Sequence, residues 1–318
     1  TLVASRLLEV LDAGTVLLIE KTGEIGKGIA YGTTDSGHLL NVRAGNMSAL
    51  DYDPKGFVNW LQARGQSEDI QATAFISRST FGEYLASEFD RCRNRSAVQC
   101  DVIGDEARTL DRTADRLSIG LASGRNLEVD KVVLALGNLP PILPMAFQHL
   151  AGDPRVICNP WAAEEVARVG PDDRVLIIGT GLTMADTVIS LRNQGHQGKI
   201  FARSRRGLLP HVHAPSAQTT VDIDSAGNIT EQVISAVRGS GENWRAAVDA
   251  LRPITVSLWQ SLSWKERDRF RKRLQVFWDV HRHRMPPEVF DAVEQLRAGG
   301  QLDIQAGTLV DATADASA

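Results

Sequence analysis

Two glycines one residue apart, Gly179 and Gly181, follow an apolar run, Val175-Leu176-Ile177-Ile178, and precede a helix-like segment, Leu182 to Gln194. A second apolar strand, Lys199 to Ala202, leads into Arg203, Ser204, Arg205 and Arg206. The chemistry this pattern suits is anion binding. Gly179 permits a tight turn off the strand, and Gly181, without a Cβ, lets a pyrophosphate approach the backbone. Thr180 completes the turn. The amides of Leu182 and Thr183 then sit at a helix N-terminus, where unpaired donors and the helix dipole favour an anion. Met184-Ala185 stand where the usual dinucleotide fingerprint has its third glycine. Arg203 comes 22 residues after Gly181, where an acid ordinarily binds the ribose 2′-hydroxyl of NAD. Guanidinium groups there suit a 2′-phosphate, through charge-assisted and often bidentate bonds. The pattern favours NADP over NAD; a solvated basic turn after an ordinary βαβ unit is the alternative.

The elements that must position such a site come in nucleotide-binding order twice. Apolar residues at 2, 3, 7, 8 and 11 predict a helix over Thr1 to Leu11, and Thr15 to Ile19 predicts a buried strand ending at Glu20. Helix, strand and acid are the second half of a dinucleotide unit. The strand and glycine turn of its first half would lie before Thr1, so the expectation is a chain truncated inside its first motif. In that setting Glu20 accepts hydrogen bonds from a ribose diol; alone, it would be a surface glutamate.

Between the two units, Gly23, Gly26, Gly28 and Gly32 begin a long loop rich in Gly, Asp, Ser and Asn. Helices are predicted at Phe57 to Leu61 and at Ser77 to Phe89. Val98 to Ala107 and Leu117 to Leu121 read as strands of a small meander, joined by a turn at Asp111 to Asp115. Leu127 to Gly137 reads as a strong strand, ended by Asn138 and a proline-rich run, Pro140 to Pro144. Glu231 to Ala298 is mostly helical in pattern, with Ser263 and Glu266 spaced as a capping box. Phe270, Leu274, Phe277 and Trp278 recur at helical steps and read as core packing. The basic excess from Trp264 to Arg284 reads as a solvated helix face; a nucleic-acid or partner face, or an insertion capping the groove with 281–287 at its edge, are the alternatives. His211 and His213 share a face of an extended segment and read as loop histidines beside a groove, since no further metal ligand is near.

Composition narrows the classes. The 318 residues can hold two domains, and 43% hydrophobic with 23% charged residues is ordinary for a globular chain. A net charge of −4 argues against nucleic acid. No apolar run approaches a bilayer span, and no signal peptide pattern is present. Cys92, Cys100 and Cys158 form no CxxC pair, which fits a reducing compartment such as the cytoplasm and argues against a dithiol reductase.

Gly28 to Ser48 (GIAYGTTDSGHLLNVRAGNMS), SRSTFGEYL at 77–85, VVLALGN at 132–138, GTGLTMAD at 179–186 and SRRGLLPHVH at 204–213 together resemble one family. It is the two-dinucleotide-domain flavoprotein group, FAD/NAD(P)-binding proteins similar to flavin-containing and N-hydroxylating monooxygenases. The resemblance runs over nearly the whole chain. It implies an α/β fold of two Rossmann-like domains: an FAD-binding domain over 1–144, lacking its first GxGxxG, and an NAD(P)-binding domain over 145–318 with a helical insertion at about 228–298. The returning C-terminal segment of the family is not found; the chain stops in what reads as a meander of the second domain. The implied cofactors are FAD and NADP. Glu20 and Lys21 would meet the adenosine ribose of FAD, Asn41 and Met47 the flavin side, Arg78 the FAD phosphates, and the Val102 backbone the adenine. Ala135, Leu136 and Gly137 match the strand-end motif at which such chains leave the FAD domain. Gly179, Thr180, Gly181, Leu182, Thr183, Arg203, Ser204, Arg205 and Arg206 would hold NADPH.

That resemblance implies hydride transfer from NADPH to flavin and oxygen activation on a small-molecule substrate, with no side-chain nucleophile required. No GxSxG, HExxH or Ser/His/Asp set occurs, and Asn41 is the one polar candidate near the flavin. A flavin-free NADP-dependent dehydrogenase and a nucleotide-binding redox sensor without turnover remain open from the residues alone.

Overall fold

A computed structural model describes residues 1–65, 72–113, 115–139, 141–224 and 227–313. The chain divides into two compact units, Thr1–Val166 and Ala167–Ala318.

The first unit opens with helix α1 (Leu2–Val10) and strand β1 (Thr15–Ile19). The long loop contains only a four-residue helix, α2 (Gly28–Tyr31), and one 3₁₀ turn, Ala44–Asn46. Helices α3 (Gly56–Gln62) and α4 (Arg78–Arg95) follow, the second capped by Ser77, whose hydroxyl accepts from the Thr80 amide. Strand β2 (Gln99–Ile103) returns parallel to β1, with Leu18 opposite Val102. Strands β3 (Ala107–Arg112), β4 (Leu117–Leu121) and β5 (Asn126–Val129) make an antiparallel meander. Its Ile119, Leu121 and Leu127 pack with Leu17, Ile19 and Ile103, so the meander shares a core with the β1–β2 pair. Behind the long loop, Phe57, Leu61, Phe81 and Tyr84 form a second core. Each such side chain removed from water contributes roughly 1.5–3 kcal/mol, enough to hold an irregular loop against two helices. The unit ends with the short helix α5 (Ala163–Val166).

The second unit is built on a parallel three-stranded sheet in the order β6 (Val175–Ile178), β7 (Ile200–Ser204), β8 (Leu302–Ala306). Helix α6 (Leu182–Asn193) links β6 to β7. Helix α12 (Pro287–Ala298) contacts both α6 and β8. Val188, Leu191, Ile200, Ala202, Val293 and Leu302 are buried in this layer. Between β7 and α12 run α7 (Ile229–Gly239), α8 (Trp244–Ala250), α9 (Thr255–Ser261), α10 (Trp264–Arg273) and α11 (Gln275–Arg282). No helix among the described residues is long and apolar enough to cross a membrane.

Several expectations are corrected. The stretch Val98 to Ala107 is not part of the meander: β2 pairs with β1, and β3 begins only at Ala107. The predicted strand Leu127 to Gly137 ends at Val129. Residues 132–137 have no strand partner among the described residues, and Val133, Leu134 and Leu136 are exposed. An apolar run becomes a strand only when a neighbour takes its amides and carbonyls. The run therefore does not pair with β1, although Val132 packs on the cluster that includes Leu17 and Ile19. The C-terminal stretch forms no meander, since β8 extends the parallel sheet; residues 314–318 lie outside those described. Leu274 and Trp278 are only half-buried and Phe277 is exposed, so that stripe is not core. The capping box at Ser263 and Glu266 forms as its spacing predicts.

Candidate cofactor sites

In the first unit the tips of β1 and β2 lie side by side. The Glu20 amide donates to Ile103 O (3.0 Å). One carboxylate oxygen of Glu20, Oε2, accepts from the amide and the hydroxyl of Thr22, both at 2.6 Å. That turn holds the carboxylate in place and leaves Oε1 without a hydrogen bond among the described residues. Lys21 reaches across to Glu106 (3.0 Å). Hydrogen bonding and the charge of Lys21 hold the Glu106 carboxyl below its usual range. Asp105 is also held low, by the Ser123 hydroxyl and the Glu106 amide. Because Ile103 turns its carbonyl toward β1, strand alternation turns the amide and carbonyl of Val102 to the opposite edge. No described residue pairs with that edge. A Cβ on Gly104 would come within 4.0 Å of Gly23 Cα, so the two tips are close.

The long loop is tied to the start of α4. Leu40 N–H donates to Ile76 O (2.8 Å), and Arg78 N–H to His38 O (2.9 Å). The Arg78 side chain donates to Leu39 O (3.1 Å) and lies over the Trp161 ring, 5.0 Å from its centroid. Trp161 also meets the edge of His38, which is buried with Nδ1 2.7 Å from the Thr33 hydroxyl. Asn41 lies in the same loop, half-buried, and Met47 packs on the Phe57 core. Sequence reasoning missed His38 and Trp161. The HLLN motif was a signal for the first, whereas Trp161 lies 83 residues beyond Arg78 with no local pattern to mark it. Ala135, Leu136 and Gly137 lie apart, in the exposed segment, with Gly137 at φ +67°.

In the second unit Gly179 has φ +122°, a conformation L side chains rarely adopt. Gly181 caps α6 without a side-chain hydrogen bond, and a Cβ placed there would meet nothing within 4 Å. The amides of Leu182 and Thr183 donate to no acceptor among the described residues. Met184 replaces the third glycine by turning inward; it is 2% exposed. Thr180 donates to Leu208 O (2.6 Å), so the Ser204 hydroxyl, 2.8 Å away, must donate to Thr180. The Gly207 amide in turn donates to Ser204 Oγ (3.0 Å). These bonds lock the glycine turn to the turn after β7. Gly207 has φ +60°, and a Cβ would fall 2.7 Å from Ala306 N, so only glycine fits.

The arginines divide. Arg203 lies on the sheet surface, donating to Asp303 O (2.8 Å) and to its carboxylate (2.7 Å). Arg206 lies over Phe277, 4.8 Å from the ring centroid. Arg205 is exposed and makes no hydrogen bond, ion pair or ring contact among the described residues.

Residues 1–139 match the FAD-NAD(P)-binding family. No characterised protein sequence matches the chain at a significant level. Among solved structures it is similar to ornithine hydroxylase (PvdA) from Pseudomonas aeruginosa, with a TM-score of 0.58 and 18% identity over 95% of this chain and 68% of that one. It is also similar to the ornithine N-hydroxylase KtzI of Kutzneria sp. 744, with a TM-score of 0.52 and 14% identity over 96% of this chain and 74% of that one. A third is DfoA, a cadaverine monooxygenase from Erwinia amylovora, with a TM-score of 0.52 and 12% identity over 90% of this chain and 61% of that one. The shared fold is the α/β dinucleotide-binding fold of these flavoproteins, as the motifs imply.

Proposed function

We propose that the chain is an FAD- and NADPH-dependent oxidoreductase of the monooxygenase-like kind, with 1–144 serving FAD and 145–318 serving NADP. The observation that carries this reading is the pairing of two parallel strand tips of opposite charge, Glu20 in one unit and Arg205-Arg206 in the other. The donor chemistry fits the two groups. Glu20 Oε1 would accept from the ribose diol of FAD, with Lys21 beside it and the open edge of Val102 facing the adenine. Asn41, Met47 and Arg78 would line the flavin and phosphate side, and Ala135 to Gly137 the exit from that domain.

In the second unit the turn Gly179-Thr180-Gly181 and the amides of Leu182 and Thr183 would hold the pyrophosphate of NADPH. Arg205 and Arg206, with Ser204 fixing their turn, would hold its 2′-phosphate. Arg203 would support them from the sheet through Asp303. A bound flavin supplies the capacity to take hydride from NADPH and pass electrons to oxygen. The chain's own residues bind and orient; none is required as a nucleophile. The substrate class is a small molecule.

The test is an absorbance spectrum of the purified protein, as it stands and with FAD added, followed by anaerobic NADPH. A flavin spectrum that NADPH bleaches, with oxygen uptake on aeration, is the expected result. A protein that stays colourless with FAD yet oxidises NADPH on addition of a carbonyl compound would replace this reading with a flavin-free dehydrogenase. Nucleotide binding without electron transfer would replace it with a sensor.

A further inference from the structure

The second unit carries a cationic, aromatic cluster to which the proposed cofactor roles assign nothing. The segment after Arg206 is pinned between helices: His211 N–H donates to Val280 O (3.0 Å), and Met285 N–H donates to His211 O (2.8 Å). This sets the rings of His211, Trp244 and His281 in a closed triangle. The centroids are 4.9 Å apart for His211–Trp244, 4.6 Å for His211–His281 and 4.8 Å for Trp244–His281. The Arg245 guanidinium lies over Trp244 at 4.4 Å, and that of Arg284 at 5.7 Å.

The hydrogen bonds leave this cluster short of acceptors. His281 Nδ1 is 2.7 Å from Phe277 O, and a carbonyl only accepts, so Nδ1 carries the proton and Nε2 is the open nitrogen. The ring nitrogens of His211, which is exposed, make no hydrogen bond among the described residues. Arg245 spends its Nε on Val212 O (3.1 Å), and its terminal nitrogens have no partner among the described residues. Arg284 is buried and donates to His281 O (3.0 Å) and to Asp249. Among the described residues Asp249 is the one carboxylate bonded to the cluster, and it is shared with Arg252 (3.2 Å). The positive groups from segment 204–213, α8, α11 and the turn after α11 thus meet a single acid.

We propose that the surface formed by His211, Trp244, Arg245 and His281 binds a small oxoanion, the phosphate or carboxylate of a small molecule. An oxoanion supplies the acceptors these donors lack and offsets the crowding of like charge. A metal ion would suit two open imidazoles, but two guanidiniums oppose it. No group of three His, Cys, Asp or Glu residues that could hold a metal occurs among the described residues. The site's residues differ from those of the proposed 2′-phosphate clamp, Arg205 and Arg206, although Arg206 lies over Phe277, whose carbonyl meets His281. Burial and the charges of His281, Arg245 and Arg284 hold the His211 imidazole below its usual value. Binding an anion therefore draws a proton onto it, and affinity rises as pH falls.

The experiment uses the whole chain, with binding read by calorimetry and by the imidazole proton signals in NMR. Inorganic phosphate and acetate are the two probes. Acetate stays fully ionised between pH 6 and 8, so its pH dependence belongs to the protein. Saturable binding that shifts the His211 and His281 signals is expected, weakening by up to about tenfold per pH unit on the alkaline side. His211→Gln and Arg245→Gln should each weaken it roughly 10-fold or more, and Arg205→Ala should leave the anion-dependent shift of the His281 signal unchanged. Tighter phosphate would assign a phosphorylated ligand, and tighter acetate a carboxylate. The proposal is overturned if neither anion saturates, if the histidine signals stay still, or if Arg205→Ala removes the His281 shift. It is also overturned if Zn²⁺ displaces both anions.

Discussion

At the tips of β1 and β2 stand three carboxylates, Glu20, Asp105 and Glu106, the last paired with Lys21; at the tip of β7 Arg205 and Arg206 extend past a locked pair of hydroxyls. Both tips end the same local plan, a helix feeding a parallel strand, yet they present opposite charge. On the proposed reading one half-fold serves two ligands: the backbone supplies the place, and two or three residues just past the strand would select a diol or a phosphate. Each tip is also braced differently. Glu20 is fixed by its own turn through Thr22, within two residues. The basic tip is fixed at long range, through Thr180, Leu208 and the approach of Gly207 to β8.

Breaking the braces should therefore give unequal effects. Gly207→Ala is expected to cost the most, about 3 kcal/mol, because it combines a positive φ with a backbone clash. Urea unfolding measures it. Gly181→Ala, in open space at a negative φ, should change stability by less than about 0.5 kcal/mol while weakening NADPH. Thr180→Val should cost about 1–2 kcal/mol, since it removes a buried hydroxyl that donates to Leu208 O and accepts from Ser204.

The first tip should respond less. Glu20→Gln is expected to change stability by about 0.5–1 kcal/mol, through its bonds to Thr22, and to leave NADPH affinity unchanged. A loss of NADPH binding in that variant would erase the division of labour between the tips.

Acidification should separate the units most gently. Burial holds His211 and His283 below their ordinary value of 6.5. The unfolded chain then takes up those protons first, so stability is full above pH 6.5 and falls as pH drops toward the depressed folded values. Asp105 and Glu106, held below 3.8 and 4.5, lose their contribution only as pH falls further, through their folded values. A stability profile in which His211→Gln and His283→Gln together leave the step that begins near pH 6.5 undiminished would contradict this order.

What the sequence made legible was local. Gly179 to Arg206 carries its own strand, turn, helix and strand, and each formed within a residue or two of its predicted bounds. Ser263 and Glu266 found each other across three residues. What stayed hidden depends on distant partners. Arg203 is engaged by Asp303, 100 residues away, which no spacing rule reveals. His211 reads as a loop histidine because its contact with His281 closes between the segment after β7 and α11. The run 132–137 has every local mark of a strand, and the pairing that defines one lies outside its own composition.

On the proposed reading the second unit recognises a 2′-phosphate at Arg205 and Arg206. Titration of the protein and of Arg205→Ala with NADPH and with NADH tests it most directly. The account predicts that the substitution weakens NADPH by about 2 kcal/mol and leaves NADH unaltered, so that the preference between them shrinks. Equal affinities for the two nucleotides in the unaltered protein, or a preference untouched by Arg205→Ala, would contradict it.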